Sequence, residues 1–300
     1  MESISIGIPS YNEGRNILRL LRQINREKKM YDLNILEVII SDDSDDDTPR
    51  ILERHIDTHK YPFKIRLLHH PSRRGVAAAW NEIFREARGD IVVLYDADII
   101  FGRGALKHLV DKLLSNGEYG IVGGRTEAIY QRGLAAEASY MVSKWLHEMR
   151  LRYPDSQFTI MGRILAVRRS IVENLYIPRQ VIAVDLYLQC HTCKLGYKVG
   201  YADDAEIYFK PPQRISEMMS QILRAVIGHH QISSLVSKYI RRRIGLGEQI
   251  RVFFSLSRGN RLRNMFSTVV AYVLGAAYIP LVFRGSVRYI WDIASTTKTR

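Results

Sequence analysis

Up to Tyr95 the chain alternates short apolar runs with segments whose apolar residues recur at helical spacing, and few folds accept that order. Ile4 to Ile8 reads as a short buried strand closed by Pro9. Ile17, Leu20, Leu21 and Ile24 then line one face of a helix, with Ser10 and Glu13 placed like a capping box at its start. Leu36 to Ile40 is a second strand, and Thr48-Pro49 opens a helix that ends near His59. Lys64 to Leu68, Gly75 to Ala87 and Ile91 to Tyr95 continue the pattern as strand, helix and strand. This β-α-β-α-β-α-β order predicts an α/β protein with a mostly parallel, doubly wound, Rossmann-like sheet. Ligands of such sheets bind beyond the carboxyl ends of the strands, so the residues just past each strand are the first place to look for chemistry.

Those positions are polar in a consistent way. Strand one is followed by Pro9-Ser10-Tyr11-Asn12-Glu13, which offers an aromatic face and polar groups to a nucleobase. Strand two runs into Ser41-Asp42-Asp43-Ser44-Asp45-Asp46-Asp47-Thr48, and strand four into Asp96-Ala97-Asp98. In extended backbone, side chains at i and i+2 point the same way, so Asp96 and Asp98 would project together into the crevice. Paired carboxylates there suit Mg²⁺ or Mn²⁺ shared with a diphosphate. A lone D-x-D is more often a turn or a helix cap. Its company at the other strand ends makes that coincidence hard to sustain. Asp45 to Asp47 read as a solvated loop and helix cap, leaving Asp42 or Asp43 as the functional acid.

Tyr119 to Phe209 mixes a Gly-rich strand, a helix from about Leu134 to Leu151 and shorter elements. Charge marks off the remainder of the chain. Of 44 Lys and Arg and 31 Asp and Glu in the 300 residues, the stretch from Lys210 onward holds 15 bases and three acids. A nearly neutral body, residues 1–212, therefore precedes a helical basic region, 213–300. Such asymmetry points to a polyanionic surface. Residues 264–283 carry no charge and are bracketed by Arg261, Arg263 and Arg284. They are about long enough for a transmembrane or re-entrant segment, which takes about 17–25 residues. Anionic membrane lipid is thus the expected partner; the basic region carries no recognisable nucleic-acid module, so no nucleic acid is expected. Two cysteines are too few for a disulfide framework, and the amino terminus has neither a basic leader nor a long apolar stretch. Both features predict a site at the cytoplasmic face of the membrane, peripheral or with one apolar segment.

IPSYNEG, SDDSDDDT and HPSRRGVAAAWNEIFREARGDIVVLYDADI together resemble the amino-terminal half of family 2 glycosyltransferases, enzymes with the GT-A fold and a D-x-D motif. The resemblance covers roughly residues 4 to 212. It implies a UDP- or GDP-sugar donor and a Mn²⁺ or Mg²⁺ cofactor. By position, Pro9, Tyr11, Glu13 and Asp42 or Asp43 would contact the nucleoside, and Arg74 would lie on the phosphate side beside Gly75 and Asn81. Asp96 would sit by ribose and diphosphate, and Asp98 would be the principal metal ligand. A second block, IAVDLYLQCHTCKLGYKVGYADDAEIYFKPP, places Asp185 where the family has its acceptor-side base. An inverting in-line displacement needs such a base, because the acceptor hydroxyl must lose its proton opposite the departing diphosphate. The implied activity is an inverting sugar transfer to a hydroxyl of a lipid-linked or membrane-proximal glycan.

The departures narrow this further. Enzymes that load dolichyl phosphate usually read D-A-D-L-Q, whereas Ile99 and Ile100 follow Asp98 here. Gln221 to Ala225 resembles the Q-x-x-R-W signature of processive synthases with alanine in the tryptophan position, which favours a single transfer. The rivals are a polyprenyl-phosphate glycosyltransferase, whose acceptor needs no base, and a nucleotidyltransferase, which IPSYNEG does not suit. Asp185 could equally cap its helix. Cys190 and Cys193 have no second pair to complete a zinc site and read as packing residues. His69, His70, His229 and His230 have no acid or thiol at ligand spacing and read as surface or packing residues.

Overall fold

The computed structural model describes residues 2–256 and 295–297. Its centre is one eight-stranded sheet. The strands are β1 (Ile4–Ser10), β2 (Ile35–Asp42), β3 (Lys64–His69), β4 (Ile91–Tyr95), β5 (Ile100–Phe101), β6 (Tyr119–Ala128), β7 (Ile164–Arg168) and β8 (Lys198–Phe209). They lie in the order β3-β2-β1-β4-β7-β6-β8-β5. The first four run parallel, as the alternation of apolar runs predicts. β7 then enters antiparallel between β4 and β6, β6 and β8 are parallel, and β5 pairs antiparallel with the end of β8. The expected parallel sheet thus holds for the half that the sequence patterned clearly, and two strands reverse in the other half.

Two apolar layers sandwich this sheet, and the two-residue period of the strands divides side chains between them. Ile91, Val93 and Tyr95 of β4 face one layer, with Leu20 and Leu21 of α1 (Gly14–Tyr31) and Leu109 and Leu113 of α4 (Ala105–Leu114). Val92 and Leu94 face the other, against Trp80, Ile83 and Phe84 of α3 (Val76–Glu86) and Leu186 and Leu188 of α7 (Val184–Lys194). Cys190 is buried in that layer with Cys193 packed against it, and burial pushes their thiols up to about 12 and 11. Helix α2 (Thr48–Thr58) follows β2, with Pro49 in its first turn, and α6 (Arg169–Val172) directly follows β7.

A third apolar cluster ties the basic region to the body. Met141, Trp145 and Met149 of α5 (Leu134–Arg152) pack with Ile244 and with Val252 and Leu256, on and just past α10 (Leu246–Ser255). Before it come α8 (Ile215–Gln231) and α9 (Ser233–Tyr239). Among the described residues no helix is long and apolar enough to cross a membrane. Residues 264–283, the expected apolar segment, lie outside the described residues.

One local expectation fails at the start of α1. The capping box is absent: Ser10 is the last residue of β1, and α1 begins at Gly14 with Glu13 as its cap residue. The Glu13 carboxylate instead accepts from Asn16 Nδ2 at 2.5 Å, while the Gly14 N–H donates to Thr48 Oγ1 at 3.0 Å. That second bond ties the start of α1 to the start of α2, and so fixes the two loops after β1 and β2 against each other.

The Gly-rich strand is required by a close approach. A Cβ on Gly123 would stand 2.7 Å from the Thr159 carbonyl oxygen, in the segment that leads into β7. Backbone cannot swing aside as a side chain can. Gly123→Ala should therefore destabilise the fold by about 1–3 kcal/mol in chemical denaturation, the usual cost of overpacking.

Candidate active site

The carboxyl ends of β1, β2 and β4 open on one edge of the sheet, and the segments entering β7 and α7 close the crevice from the other side. After β4 the chain turns immediately, so Asp98 lies in a turn and not in the extended backbone expected from its spacing. Both carboxylates nevertheless meet one group. Tyr95 pairs with Ile164 across the β4–β7 ladder, and the Asp96 N–H extends that pairing by donating to the Arg163 carbonyl at 3.2 Å. Arg163 therefore arrives opposite Asp96 by register. Its Nη1 stands 3.6 Å from Asp96 Oδ2 and 3.5 Å from Asp98 Oδ1. The guanidinium lies over the Phe209 ring, 4.1 Å from its centroid, which leaves it little freedom to swing. Arg19 of α1 donates to the Asp98 and Ile99 carbonyls at 3.3 and 3.4 Å, holding the turn from behind.

Asp185 enters from α7. It does not cap the helix, whose cap residue is Ala183; it sits in the first turn, where the helix dipole favours negative charge. Oδ2 accepts from the Gly162 N–H at 3.0 Å and Oδ1 from the Leu186 N–H at 2.9 Å. Gly162 and Arg163 are consecutive, so one short segment touches Asp185 with one residue and the Asp96–Asp98 pair with the next. Burial pushes the Asp96 carboxyl up to about 6; Asp98 and Asp185 add to the rise, while Arg163 and Arg224 oppose it. Its side chain still keeps 39% of its surface, so a ligand can reach it. Arg224 of α8 completes this group: its own surface is open, and its charge is felt at both Asp96 and Asp185.

The loops after β1 and β2 form the other wall. Tyr11 donates its phenol to Asp45 Oδ2 at 2.7 Å, and the Arg73 guanidinium lies 4.6 Å from its ring centroid. Asn12, at a φ of 58°, bonds both ways with Asp45. Asp45, expected to be only a solvated loop residue, thus orders the Tyr11 loop. Asp42 is fully enclosed, accepting from Ser44 Oγ at 2.5 Å and contacting His69 Nδ1 at 2.9 Å. Asp43 accepts from the Arg74 N–H at 2.6 Å and from Arg74 Nε at 2.9 Å. Arg74 also reaches Glu82 at 2.9 Å and Ser41 Oγ at 3.1 Å, and His70 contacts Glu82 at 3.0 Å. The expectation that His69 and His70 lack acid partners is therefore corrected: each meets a carboxylate that is distant in sequence. Pro9 is the penultimate residue of β1, in register with Ser41. Asn81 exchanges two hydrogen bonds with the Ile177 backbone, at 2.8 and 2.9 Å, so it fastens α3 to the segment before α7.

The profile described as Glycosyl transferase family 2 matches residues 5–176, more than half of the chain, and that of Glycosyl transferase family group 2 matches residues 91–296. The chain belongs to glycosyl transferase family 2. This family member is 25% identical over 284 residues to the probable glycosyltransferase YdaM of Bacillus subtilis, covering 91% of this chain and 63% of that one. It is 28% identical over 180 residues to the dolichol-phosphate mannosyltransferase of Pyrococcus furiosus, covering 57% and 48%. The chain thus spans less than two thirds of the length of these relatives. Among solved structures it is similar to the mannosyltransferase PcManGT from Pyrobaculum calidifontis, in complex with GDP-Man and Mn²⁺, with a TM-score of 0.60 and 23% identity over 95% of this chain and 76% of that one. That likeness makes the fold GT-A.

The sequence of this family member does not single out Arg163 or Arg73, and Ala225 in the tryptophan position draws attention away from Arg224. Arg163 and Arg73 are positioned by contacts that span the chain. The raised Asp96 carboxyl has a measurable consequence. Between its ordinary value of 3.8 and about 6 the folded state binds the extra proton, so stability declines as pH rises through that window. Asp96→Asn should therefore raise the melting midpoint of the ligand-free protein at pH 7.5, with the gain vanishing toward pH 4.

Proposed function

We propose that this chain is an inverting glycosyltransferase that moves a sugar from a UDP- or GDP-sugar to a hydroxyl of a lipid-linked or membrane-proximal glycan, with Mn²⁺ or Mg²⁺ as cofactor. One observation carries the reading: Asp96 and Asp98 share a single cation, Arg163, while the adjacent Gly162 orients Asp185 toward the same crevice. A divalent ion fits that donor set, since two carboxylates already converge on one positive charge and hard cations take oxygen ligands. Bound there by Asp98, with Asp96 beside it, the ion would stabilise the charge that develops on the departing diphosphate.

The remaining roles fall to the protein. Tyr11, with Pro9 and Glu13 in the same loop, faces the nucleoside. Asp43 is the acid on that wall rather than Asp42, because Asp42 is fully enclosed whereas Asp43 keeps some surface and is held in place by Arg74. Arg74 is spent on Asp43 and Glu82, so its part is to fix Asp43 and not to bind phosphate. Asp185 takes the proton from the acceptor hydroxyl, its geometry set by two backbone N–H groups. The body, 1–212, carries most of this machinery, and the 213–300 region adds Arg224.

Surface chemistry supports a membrane location for the acceptor, and with it a place at the cytoplasmic face. On α10, Leu246, Ile250 and Phe254 are 71%, 46% and 58% exposed along one stripe, beside the stripe that packs on α5. Arg241, Arg242 and Arg243 precede it, all exposed. Apolar insertion beside snorkelling arginines suits an anionic bilayer surface. Among relatives, one named for transfer to dolichol phosphate favours a second reading, a phosphate acceptor that needs no base.

These readings separate in the test tube. With a hydroxyl acceptor, Asp185→Asn should lower kcat on the order of a hundredfold or more, as loss of a general base does, with donor KM little changed; a phosphate acceptor would leave kcat near wild type. Asp98→Ala should abolish both sugar transfer and the metal-dependent thermal shift produced by UDP or GDP. Release of pyrophosphate in place of UDP or GDP, read by mass spectrometry, would exclude glycosyl transfer. In the ligand-free protein Asp96 takes up its proton near pH 6, so Mn²⁺ affinity should fall as pH drops through that value. Excess Mn²⁺ should move the loss of bound metal to lower pH.

A further inference from the structure

Charge balance around the two acids says more than their identity does. Asp96, Asp98 and Asp185 bring three negative charges to the crevice, and Arg163 and Arg224 return two positive ones. Arg19 is felt at Asp98 and Arg150 at Asp185, so the acids are already compensated by arginine before any metal binds. Arg163 is the closest of these cations, and one nitrogen serves both acids: Nη1 lies 3.6 Å from Asp96 and 3.5 Å from Asp98. Those separations are ion-pair distances but longer than good hydrogen bonds, so the guanidinium bridges the carboxylates without saturating them. It is also preset. Its backbone is fixed by the β4–β7 register, and its guanidinium lies on the Phe209 ring.

We propose that Arg163 is the resident counter-cation of the Asp96–Asp98 pair and competes with the divalent ion for it, so that the metal is held firmly only when a nucleoside diphosphate arrives with it. This rests on the metal-dependent donor site proposed above. A divalent ion entering alone would add two positive charges to a site already supplied with arginines and would set itself against a fixed guanidinium. A metal ion carrying a sugar nucleotide's diphosphate brings no net charge, and the diphosphate oxygens offer the guanidinium a partner in place of the two acids. Metal and nucleotide binding are then coupled positively through Arg163, and linkage makes that coupling equal in both directions. Arg163 acts here through the charges around it. It is a positioning residue.

The test is direct Mn²⁺ binding, followed by electron paramagnetic resonance of the free ion, with the full chain in detergent. Wild type, Arg163→Met, Arg163→Lys and Asp98→Asn are each titrated without nucleotide, with UDP and with GDP. Methionine keeps the stem against Phe209 and removes the charge. Lysine keeps the charge, and circular dichroism with melting curves checks that each variant is folded. In wild type, the better nucleotide should tighten Mn²⁺ about tenfold or more, within the usual span of such couplings. Arg163→Met should bind Mn²⁺ alone about tenfold or more tighter than wild type, with most of the nucleotide effect gone. Arg163→Lys should stay near wild type.

If Arg163→Met binds Mn²⁺ alone no better than wild type, while Asp98→Asn loses the ion, Arg163 does not compete for the site and the proposal is overturned on its own. If no protein in the set binds Mn²⁺ under any condition, the metal-dependent donor site fails as well, and the two failures are told apart by that pattern. A variant equally altered with and without nucleotide would mark a purely structural role for Arg163 and would likewise overturn the coupling.

Discussion

Carboxylates withdrawn from bulk water repel one another more strongly as the medium that screens them thins out, and Asp96, Asp98 and Asp185 are gathered into one crevice. The arrangement survives because Arg163 stands between two of them and because Gly162 and Leu186 donate backbone N–H groups to the third. Everything that aligns these groups stems from a strand reversal. β7 runs against β4, so the segment that enters β7 reaches the same edge of the sheet at which β4 leaves it. A parallel β7 would have put Arg163 at the far edge.

The sheet therefore has two jobs in two halves. β3, β2, β1 and β4 form a parallel unit whose carboxyl ends supply Tyr11, Asp43 and the Asp96–Asp98 pair, bound to one another by loop-to-loop bonds such as Gly14 to Thr48 and Asn12 to Asp45. β7, β6 and β8 form a mixed unit that supplies Arg163, Phe209 and the floor under α7. Asn81 stitches the halves, since it belongs to α3 and exchanges hydrogen bonds with Ile177 just before α7. Beyond them α8 brings Arg224 over the crevice. The basic region, which the charge pattern sets apart from the body, therefore also contributes to the site.

How much of this is legible in the chain depends on distance along it. The four parallel strands are legible because each is a short apolar run bounded by polar residues, and their tips are legible because parallel strands deliver chemistry at one end only. Ile91 to Tyr95 matches its strand to the residue. β7 is not legible, because Ile164 to Val167 is too short and too uniformly apolar to reveal either its type or its direction. Arg163 is invisible for the same reason: its role depends on pairing with a strand that ends far earlier in the chain. The capping box fails because Ser10 is taken up as the last residue of β1 and α1 starts only at Gly14, whose N–H donates to Thr48 from another helix. His69 and His70 look unpartnered because spacing along the sequence says nothing about Asp42 and Glu82, which the β2–β3 register and α3 bring beside them.

The proposed chemistry centres on a divalent ion and a sugar nucleotide bound across the tips of β1, β2 and β4, and anomalous diffraction locates such an ion without reference to activity. Crystals grown with Mn²⁺ and UDP or GDP, measured at the manganese edge, should give a single strong anomalous peak within ligand distance of an Asp98 carboxylate oxygen. The diphosphate should lie between that peak and the Tyr11 loop. A peak elsewhere on the molecule, or a nucleotide bound away from Tyr11 and Asp43, would contradict it.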